Sequence, residues 1–454
     1  YKQAWFTVIS DSHIWDWWII FWKLILAYKK WGDKEKLHEN AVEYLLELYI
    51  KITTESEDNE GLEEETRAEF KKLSEGNSES VELWKLFTSE SISAMNAVLI
   101  RLWVQPDYNI WESFYEGIGL PKIEDYPDLW ESMHEVVEEL IELWIVTKND
   151  DNSVWVEFWE ESAIPSCILQ KRNGTHWYLA SDLASIKYRM THWSPDTIIY
   201  FVDVRQKLHL EQVFEISKRA GWLRREWKKD CEVIHASNGF ISGKDWAFST
   251  RKWNIIRLWP LLDEAQQRAK KLILEKRDDL SEWDTELENL ARIIGIGAIK
   301  YWYLKKKRTT DVVFDWDEFM SFEWNSWPYI QYAYVRAKKI LDQAWDFSWI
   351  DYNDLSEYTQ KKNLQVSRQL IAKLLKFYSN DWVFLECMSK AMPHIIAQYS
   401  YELTKEFSEF YSKVRTLNES DPNMRKAYLK VVHEYSLIIE KCFSILWIEL
   451  PNEM

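Results

Sequence analysis

Four polar side chains near the middle of the sequence are spaced so that they could bind a small charged ligand. Tyr178 and Asp182 are four residues apart, so they share one face if their segment is helical. Gln206 and His209 follow an apolar run that is typical of a strand, and ligands of open α/β sheets bind at the carboxyl ends of strands. On these residues alone, a surface pair on a helix is the more common interpretation of Tyr178 and Asp182.

A second candidate is the cationic segment FSTRKWN at residues 248–254. Its hydroxyl and basic side chains could meet the negative charge of a phosphate, and they are Ser249, Arg251 and Lys252. An ordinary surface loop explains the same composition. The nine histidines show no spacing that is typical of metal ligands, so no protein-bound metal is expected.

The elements that would position these residues change along the chain. Residues 33–150 have mostly helical periodicity, and the acidic stretch at 55–75 is expected to form a solvated helix pair. From 154 to 250, short β-rich runs alternate with helices, among them a turn and strand at 194–203. This alternation predicts an α/β core with a parallel sheet. From about residue 262 the pattern is helical nearly to the end.

The composition is that of a globular protein, with 46% hydrophobic and 29% charged residues. The net charge of −17 argues against non-specific coating of nucleic acid. The four cysteines include no C-x-x-C pair and suit a reducing cytosol. The most apolar stretch, residues 14–28, contains Asp16 and Lys23 and is too short to span a membrane. We therefore expect a cytoplasmic protein without a membrane role.

Taken together, these segments resemble class I arginyl-tRNA synthetases over almost the whole chain. HIWDWW at 13–18 with FWKL at 21–24 is similar to the family's HIGDWG…FGKL segment, and FSTRKWN takes the place of its degenerate KMSKS loop. THWYLASDLASIKYR and IIYFVDVRQKLHLEQVF resemble the second half of the family's catalytic fold. RTTD at 308–311 and the following FDWDEFMSFEWNSWPY lead into its anticodon-binding domain, and LWIELPNEM resembles the usual ending of that domain.

The resemblance implies a fold and a division into domains. The fold is an α/β Rossmann-like class I synthetase catalytic domain with a helical insertion, followed by an all-α anticodon-binding domain. Residues 1–32 would be a remnant of the first half of the catalytic domain, and 33–150 the helical insertion within it. Residues 151–305 would form the second half with the KMSKS-like loop, 306–328 the junction, and 329–454 the helical anticodon-binding domain.

Members of this family join L-arginine to tRNA(Arg) in two steps. They form arginyl-adenylate from arginine and ATP, and then transfer the arginyl group to the 3′ end of the tRNA. The resemblance implies that the arginine pocket is lined by Tyr178, Asp182 and Gln206, and a planar guanidinium does bind a carboxylate well. It also implies that charge on the pyrophosphate is stabilised by the catalytic residues Lys252, Ser249 and Arg251.

The remaining contacts that the resemblance implies are with ATP and tRNA. ATP, accompanied by Mg2+, would contact His209, His235 and Lys252. The tRNA would contact residues near the domain junction, namely Asp317, Phe319, Met320, Glu323, Asn325 and Tyr329. The C-terminal helices would read unstacked anticodon-loop bases, with Phe410 and Tyr411 as candidate stacking partners. A monomer is expected.

The sequence departs from the family at its start. In the family, an HIGH signature binds ATP and an N-terminal domain binds the tRNA elbow. Both should precede Tyr1. The sequence as given therefore predicts an inactive fragment that lacks half of its ATP site. A non-catalytic RNA-binding paralogue that kept the fold is the alternative, and an HIGH signature encoded upstream would exclude it. A designed or decoy sequence is disfavoured by the intact set of Tyr178, Asp182 and Gln206.

The second departure is an excess of tryptophan over glycine. The chain has 29 Trp and 11 Gly, whereas average usage gives roughly 32 glycines. Tryptophan stands at positions where the family has glycine, namely Trp15, Trp18, Trp22, Trp177, Trp246, Trp253, Trp324 and Trp327. An indole cannot replace glycine at a positive φ or a close backbone approach without strain. We hypothesise that UGA codons for glycine have been translated as tryptophan, and UGG codons at Trp15, Trp18 and Trp22 would contradict this.

Overall fold

The computed structural model describes twelve segments of the chain, which are residues 1–13, 19–57, 59–116, 131–158, 163–172, 174, 178–242, 257–277, 279–315, 326–344, 365–378 and 383–452. These residues divide into two compact units. The first unit comprises residues 8–238, and the second comprises residues 1–7, 239–242 and those from 257 onward.

The first unit begins with a group of helices, α1 (Ile19–Trp31), α2 (Lys34–Glu39), α3 (Ala41–Ser56), α4 (Glu60–Ser74) and α5 (Ser78–Arg101). An Asp or Asn side chain caps the start of four of them by accepting backbone N–H groups, and these residues are Asp33, Asn40, Asn59 and Asn77. The apolar faces meet around Ile25, Ile52 and Phe87, which are fully buried. The helical character expected for this part of the chain is therefore found.

The acidic stretch differs from the solvated helix pair that its charge predicts. Leu62, Glu69 and Leu73 of α4 are buried, because they recur at helical spacing on the face that packs against α1. The Glu69 carboxylate is held by Lys29 of α1 and by the Ser80 hydroxyl of α5. A buried ion pair of this kind is not visible in the charge pattern, since most of the neighbouring glutamates are exposed.

The second half of this unit contains two sheets. The strands β1 (Thr147–Lys148), β2 (Val154–Val156) and β3 (Cys167–Gln170) are antiparallel, whereas β4 (Thr197–Tyr200) and β5 (Glu232–His235) are parallel. The parallel pair agrees with the alternating pattern of the sequence. The antiparallel sheet β1–β3 was not expected from that pattern. It forms because the loop between β1 and β2 is too short for a parallel connection.

The same part of the chain contains four helices, α6 (Glu112–Glu116), α7 (Met133–Glu142), α8 (Tyr178–Trp193) and α9 (Lys207–Arg219). Helix α8 is buried along most of its length and contacts β3, α6, α7 and α9. Its small residues allow this close packing, since Ala180, Ala184 and Ser185 are each at most 2% exposed. Polar side chains on α8 are consequently held in place by surrounding elements.

The second unit is mostly helical. The parallel strands β6 (Ile241–Ser242) and β7 (Val312–Val313) accompany helices α10 (Leu258–Leu274), α11 (Thr285–Leu304), α12 (Trp327–Gln343), α13 (Gln365–Tyr378), α14 (Val383–Lys390), α15 (His394–Lys413) and α16 (Pro422–Ile445). Phe407 and Tyr435 stack in the core between α15 and α16, with ring centroids 3.8 Å apart. Among the residues described, no helix has the length and apolarity that a membrane crossing would require.

Tryptophan occupies a glycine-type backbone position at the ends of three helices. Trp103, Trp144 and Trp447 follow α5, α7 and α16 with φ values of 57°, 58° and 56°. Helices α4 and α9 end in the same way, but with Gly76 and Gly221, whose φ values are 76° and 74°. In all five cases the next residue donates its N–H back to a carbonyl five residues earlier, as in a Schellman motif. This geometry supports the hypothesis that some tryptophans stand at glycine positions.

Two of the eight tryptophans that the family resemblance places at glycine positions lie in described segments. Trp22 packs against Phe70, and Trp327 is only 1% exposed and lies against Gly297 of α11. Both indole N–H groups are buried without a hydrogen-bond partner in the described structure, which is unfavourable for a polar group. The other six lie outside the described residues, and they are Trp15, Trp18, Trp177, Trp246, Trp253 and Trp324.

Candidate active site

Helix α8 and helix α9 bring together three of the residues that the sequence singles out. Asp182 lies one turn after Tyr178 on α8, and its Oδ2 is 2.6 Å from Nε2 of His209 on α9. The rings of Tyr178 and His209 are 4.6 Å apart between centroids. The side chain of Asp182 is only 13% exposed. Asp182 is thus part of a partly enclosed polar cluster, which a simple surface pair on a helix would not form.

A second histidine, His13, lies on the other side of the Asp182 carboxylate. Its Nε2 is 3.8 Å from Oδ1 of Asp182, which is longer than a hydrogen bond. Both ring nitrogens of His13 are buried, and neither is within hydrogen-bond distance of the Asp182 carboxylate. Burial lowers the pKa of His13, although the charge of Asp182 opposes this shift, so the imidazole is neutral at neutral pH.

The carboxyl group of Asp182 is ionised in this environment. Burial alone would raise its pKa, but the hydrogen bond from His209 and the electrostatic attraction of the carboxylate to His13, His209 and Arg189 outweigh that effect and lower the pKa. The site therefore presents a partly desolvated carboxylate. Such a group is suited to bind a cation with several N–H donors.

An ion pair keeps His13 beside α8. Arg189, two turns after Asp182, donates from Nη2 to Oδ2 of Asp11 at 2.8 Å, and both side chains are less than 10% exposed. The other nitrogen of the Arg189 guanidinium, Nη1, donates to the hydroxyl of Tyr200 at the end of β4. Asp11 Oδ1 in turn accepts the backbone N–H of Ile110 at 3.0 Å. The segment that contains His13 is thus fixed to both the helix and the parallel sheet.

Gln206 and His235 lie at the carboxyl ends of the parallel strands. Tyr200 and His235 are partners in the last pair of the β4–β5 ladder, and the chain continues through a 3₁₀ turn, Val204–Gln206, into α9. Gln206 is half-buried at the N-cap of α9, three residues before His209. His235 Nε2 lies 3.3 Å from the carbonyl oxygen of Val202. This is the edge of the sheet where α/β proteins bind ligands.

A buried glutamate that the sequence reasoning did not single out lies next to this cluster. Glu112 on α6 is 2% exposed, and its Oε1 accepts a hydrogen bond from Ser181 of α8 at 3.0 Å. Burial also raises the pKa of Glu116, one turn further along α6, to about 7. The available signal was weak, because two glutamates four residues apart usually mark a solvated helix face.

Most of the other residues to which the family resemblance assigns a role lie outside the part of the chain that the structure describes. Residues 243–256, with Ser249, Arg251 and Lys252, lie outside the described residues, and so do residues 316–325, with Asp317, Phe319, Met320, Glu323 and Asn325. Tyr329 is described, and its hydroxyl donates to Oγ of Ser408 at 3.1 Å on α15. Of the two candidate stacking residues, Phe410 is fully buried, whereas Tyr411 is 37% exposed.

The described residues of this site are suited to binding a ligand. No group of three or more His, Cys, Asp or Glu side chains in the described segments is arranged to hold a metal ion. The cluster of Tyr178, Asp182 and His209 provides one buried negative charge, one aromatic ring and hydrogen-bonding groups. It is suited to a small cationic ligand with a planar, multidentate head group.

Two family descriptions match the sequence and together cover nearly all of it. Residues 1–316 match the family described as tRNA synthetases class I (R), catalytic domain. Residues 330–454 match the family described as DALR anticodon binding domain.

Curated proteins named "Arginine--tRNA ligase" are similar to this chain over its whole length. The one from Fusobacterium nucleatum subsp. nucleatum is 34% identical over 454 residues, which are 100% of this chain and 74% of that protein. The one from Clostridium perfringens is 35% identical over 448 residues, which are 98% of this chain and 73% of that protein.

Solved structures show the same fold at lower sequence identity. The arginyl-tRNA synthetase from Plasmodium falciparum superposes with a TM-score of 0.74 at 23% identity, covering 98% of this chain and 70% of that one. The arginyl-tRNA synthetase from Thermus thermophilus superposes with a TM-score of 0.73 at 20% identity, covering 99% of this chain and 76% of that one.

Proposed function

Since this chain belongs to the class I arginyl-tRNA synthetase family, we propose that it is an arginine–tRNA ligase. It activates L-arginine with ATP and then transfers the arginyl group to the 3′ end of tRNA(Arg). The observation that carries the proposal is the partly buried, ionised carboxylate of Asp182 between Tyr178 and the two histidines.

Arginine binds at this cluster through its guanidinium group. The group is planar and donates two parallel N–H bonds to a carboxylate, so a fixed Asp182 selects it over a single ammonium charge. The Tyr178 ring lies on the same side of α8 and packs beside the head group. Gln206, at the carboxyl end of β4, orients the polar part of the substrate.

The two chemical steps follow from the substrates. A carboxylate oxygen of arginine attacks the α-phosphate of ATP, and pyrophosphate leaves with the electrons of the broken P–O bond. A ribose hydroxyl of the tRNA then attacks the arginyl carbonyl, and AMP leaves. Lys252, with Ser249 and Arg251, stabilises the charge on the leaving pyrophosphate, and the family resemblance implies that His235 and His209 contact ATP. Mg2+ would accompany ATP and offset the negative charge of its phosphates.

The tRNA is held by the C-terminal part of the chain. Residues 329–454 form the anticodon-binding domain, and residues 306–328 form the junction with the catalytic domain. The tRNA contacts at the junction are those of Asp317, Phe319, Met320, Glu323, Asn325 and Tyr329. The exposed Tyr411 on α15 offers a ring on which an unstacked base can lie. The protein works as a monomer in the cytoplasm.

Charging of tRNA tests this proposal. The purified product of the complete gene is incubated with ATP, tRNA(Arg) and radiolabelled L-arginine, and acid-precipitable arginyl-tRNA is counted. Arginine is expected to be charged, whereas lysine and the uncharged analogue citrulline are not. Asp182→Asn is expected to reduce charging by on the order of 100-fold, because one partner of a buried charged pair is lost. Binding of tRNA(Arg) without any charging would instead favour the non-catalytic paralogue.

A further inference from the structure

The carboxylate of Asp182 is held from one side by a histidine of another helix. His209 Nε2 lies 2.6 Å from Oδ2, whereas His13 Nε2 lies 3.8 Å from Oδ1. Within the described part of the chain, the Asp182 side chain forms its hydrogen bond with His209. The two carboxylate oxygens therefore differ, because Oδ2 accepts a hydrogen bond from His209, whereas Oδ1 accepts none from the residues that the structure describes.

This difference matters for recognition of a planar cation. The terminal torsion of an aspartate side chain is broad, so an unsupported carboxylate can rotate. Two parallel N–H bonds from a guanidinium form only when the plane of the carboxylate is correctly oriented. A residue that fixes this plane before the ligand arrives reduces the cost of binding.

The surroundings of His209 fix which of its nitrogens donates. His209 is 9% exposed, and its ring packs against that of Tyr178. Its Nδ1 is buried and has no hydrogen-bond partner among the described side chains. The nitrogen of His209 that donates is therefore Nε2, because only there does a ring N–H have an acceptor among the described residues. His209 sits in the first turn of α9, which is anchored at the carboxyl end of β4.

We propose that His209 is a positioning residue for arginine recognition, since its Nε2–H fixes Oδ2 of Asp182 and so orients the carboxylate, leaving Oδ1 and the second lone pair of Oδ2 to accept two N–H groups of the guanidinium. The inference rests on the proposed function, and it deepens it by assigning His209 to the arginine side of the site. The resemblance to the family implies a contact of His209 with ATP instead. The two assignments differ in their expected effect: a His209 variant would change the KM for arginine in the first case and the KM for ATP in the second.

Substrate constants of His209 variants test the inference. Arginine-dependent ATP–pyrophosphate exchange is measured in the presence of tRNA for the wild-type protein, His209→Ala, His209→Gln and His209→Asn. We expect His209→Ala to raise the KM for arginine about 10- to 100-fold, as for loss of a hydrogen bond to a charged group, and to leave the KM for ATP within about twofold. His38→Ala, which removes an exposed histidine of α2, is the matched control and is expected to change neither constant.

The two amide variants separate positioning from a general loss of structure. The amide nitrogen of glutamine reaches the place of Nε2 and that of asparagine only the place of Nδ1. We therefore expect His209→Gln to keep the KM for arginine within about threefold of wild type, and His209→Asn to behave like His209→Ala. Equal defects in both amide variants would overturn the inference.

A double-mutant cycle with Asp182→Asn provides the second readout. If His209 acts through Asp182, then adding His209→Ala to Asp182→Asn raises the KM for arginine by less than about twofold. A fully additive effect, or a His209→Ala variant in which only the KM for ATP rises, would overturn the inference while the ligase function stands. All variants are made in the product of the complete gene, and absence of arginine-dependent exchange in that wild-type protein would refute the proposed function, and the inference with it.

Discussion

The guanidinium of Arg189 donates to Oδ2 of Asp11 at 2.8 Å, and this ion pair connects the helix that carries Asp182 to the segment that carries His13. Both side chains are almost fully buried. Such a pair orders its surroundings more than it stabilises the fold, because removing two charges from water is costly. Its contribution here is to place His13 next to the Asp182 carboxylate.

Removal of Arg189 is expected to destabilise the protein strongly. Arg189→Met leaves the carboxylate of Asp11 buried without its partner, and we expect the free energy of unfolding to fall by about 3–5 kcal/mol. Chemical unfolding followed by circular dichroism measures this. Arg205→Met is the control, because Arg205 pairs with Asp203 but is 71% exposed, and its loss should cost less than about 1 kcal/mol. Equal effects of the two substitutions would contradict the role assigned to the buried pair.

Restoring glycine after α7 is expected to stabilise the protein. Trp144 has a φ of 58° and is 93% exposed, so it carries backbone strain while burying little surface. Trp144→Gly should raise the free energy of unfolding by about 1 kcal/mol, because a side chain in the left-handed region costs roughly that much. Urea unfolding measures the change.

The matched control for that substitution is Trp283→Gly. Trp283 is 92% exposed but does not have a positive φ, so glycine there gains nothing and adds freedom to the unfolded chain. We expect it to leave the free energy of unfolding unchanged or to lower it. If both glycine variants gave the same change, the strain argument for Trp144 would be wrong.

The stability of the protein is expected to fall below about pH 6.5 in part because of His13. Burial lowers the pKa of His13 in the folded protein below its ordinary value of 6.5, so the unfolded chain binds the proton more readily. The contribution of the neutral His13 ring to the free energy of unfolding is fully present above the pKa of the unfolded chain. It is lost as the pH falls from that value towards the lower pKa of the folded protein. One such group changes stability by at most about 1.4 kcal/mol per pH unit.

Urea unfolding between pH 5 and pH 8 checks this dependence. His13→Gln cannot take up a proton, so its stability should depend less on pH than that of the wild-type protein in this range. His38→Ala is again the control, since His38 is exposed and its removal should leave the dependence unchanged. A steeper dependence in His13→Gln than in the wild type would contradict the direction of the pKa shift.

Much of the fold was predictable, and the exceptions have identifiable physical reasons. The helices before residue 150 and after residue 262, and the parallel pairing of β4 with β5, follow from hydrophobic periodicity and from the alternation of elements. The antiparallel sheet β1–β3 was missed because its strands are two to four residues long and leave almost no pattern. The burial of Glu69 depends on Lys29 of a distant segment.

The candidate site was predictable only within single segments. The spacing of Tyr178 and Asp182 indicates a shared helical face, and Gln206 follows a recognisable strand. Nothing in the spacing connects His13 or His209 to Asp182, because these contacts join three separate segments of the chain and arise only from tertiary packing. The contacts of Lys252 with substrate stay a prediction of the family resemblance.

Calorimetric titration with L-arginine tests most directly whether the Asp182 carboxylate binds the guanidinium of arginine. The wild-type protein is expected to bind L-arginine, and Asp182→Ala to bind it on the order of 100-fold more weakly, because the buried charge that pairs with the guanidinium is gone. Asp196→Ala is the matched control, since that carboxylate is 89% exposed and should have no effect. An unchanged affinity for L-arginine in Asp182→Ala would contradict the assignment of the site.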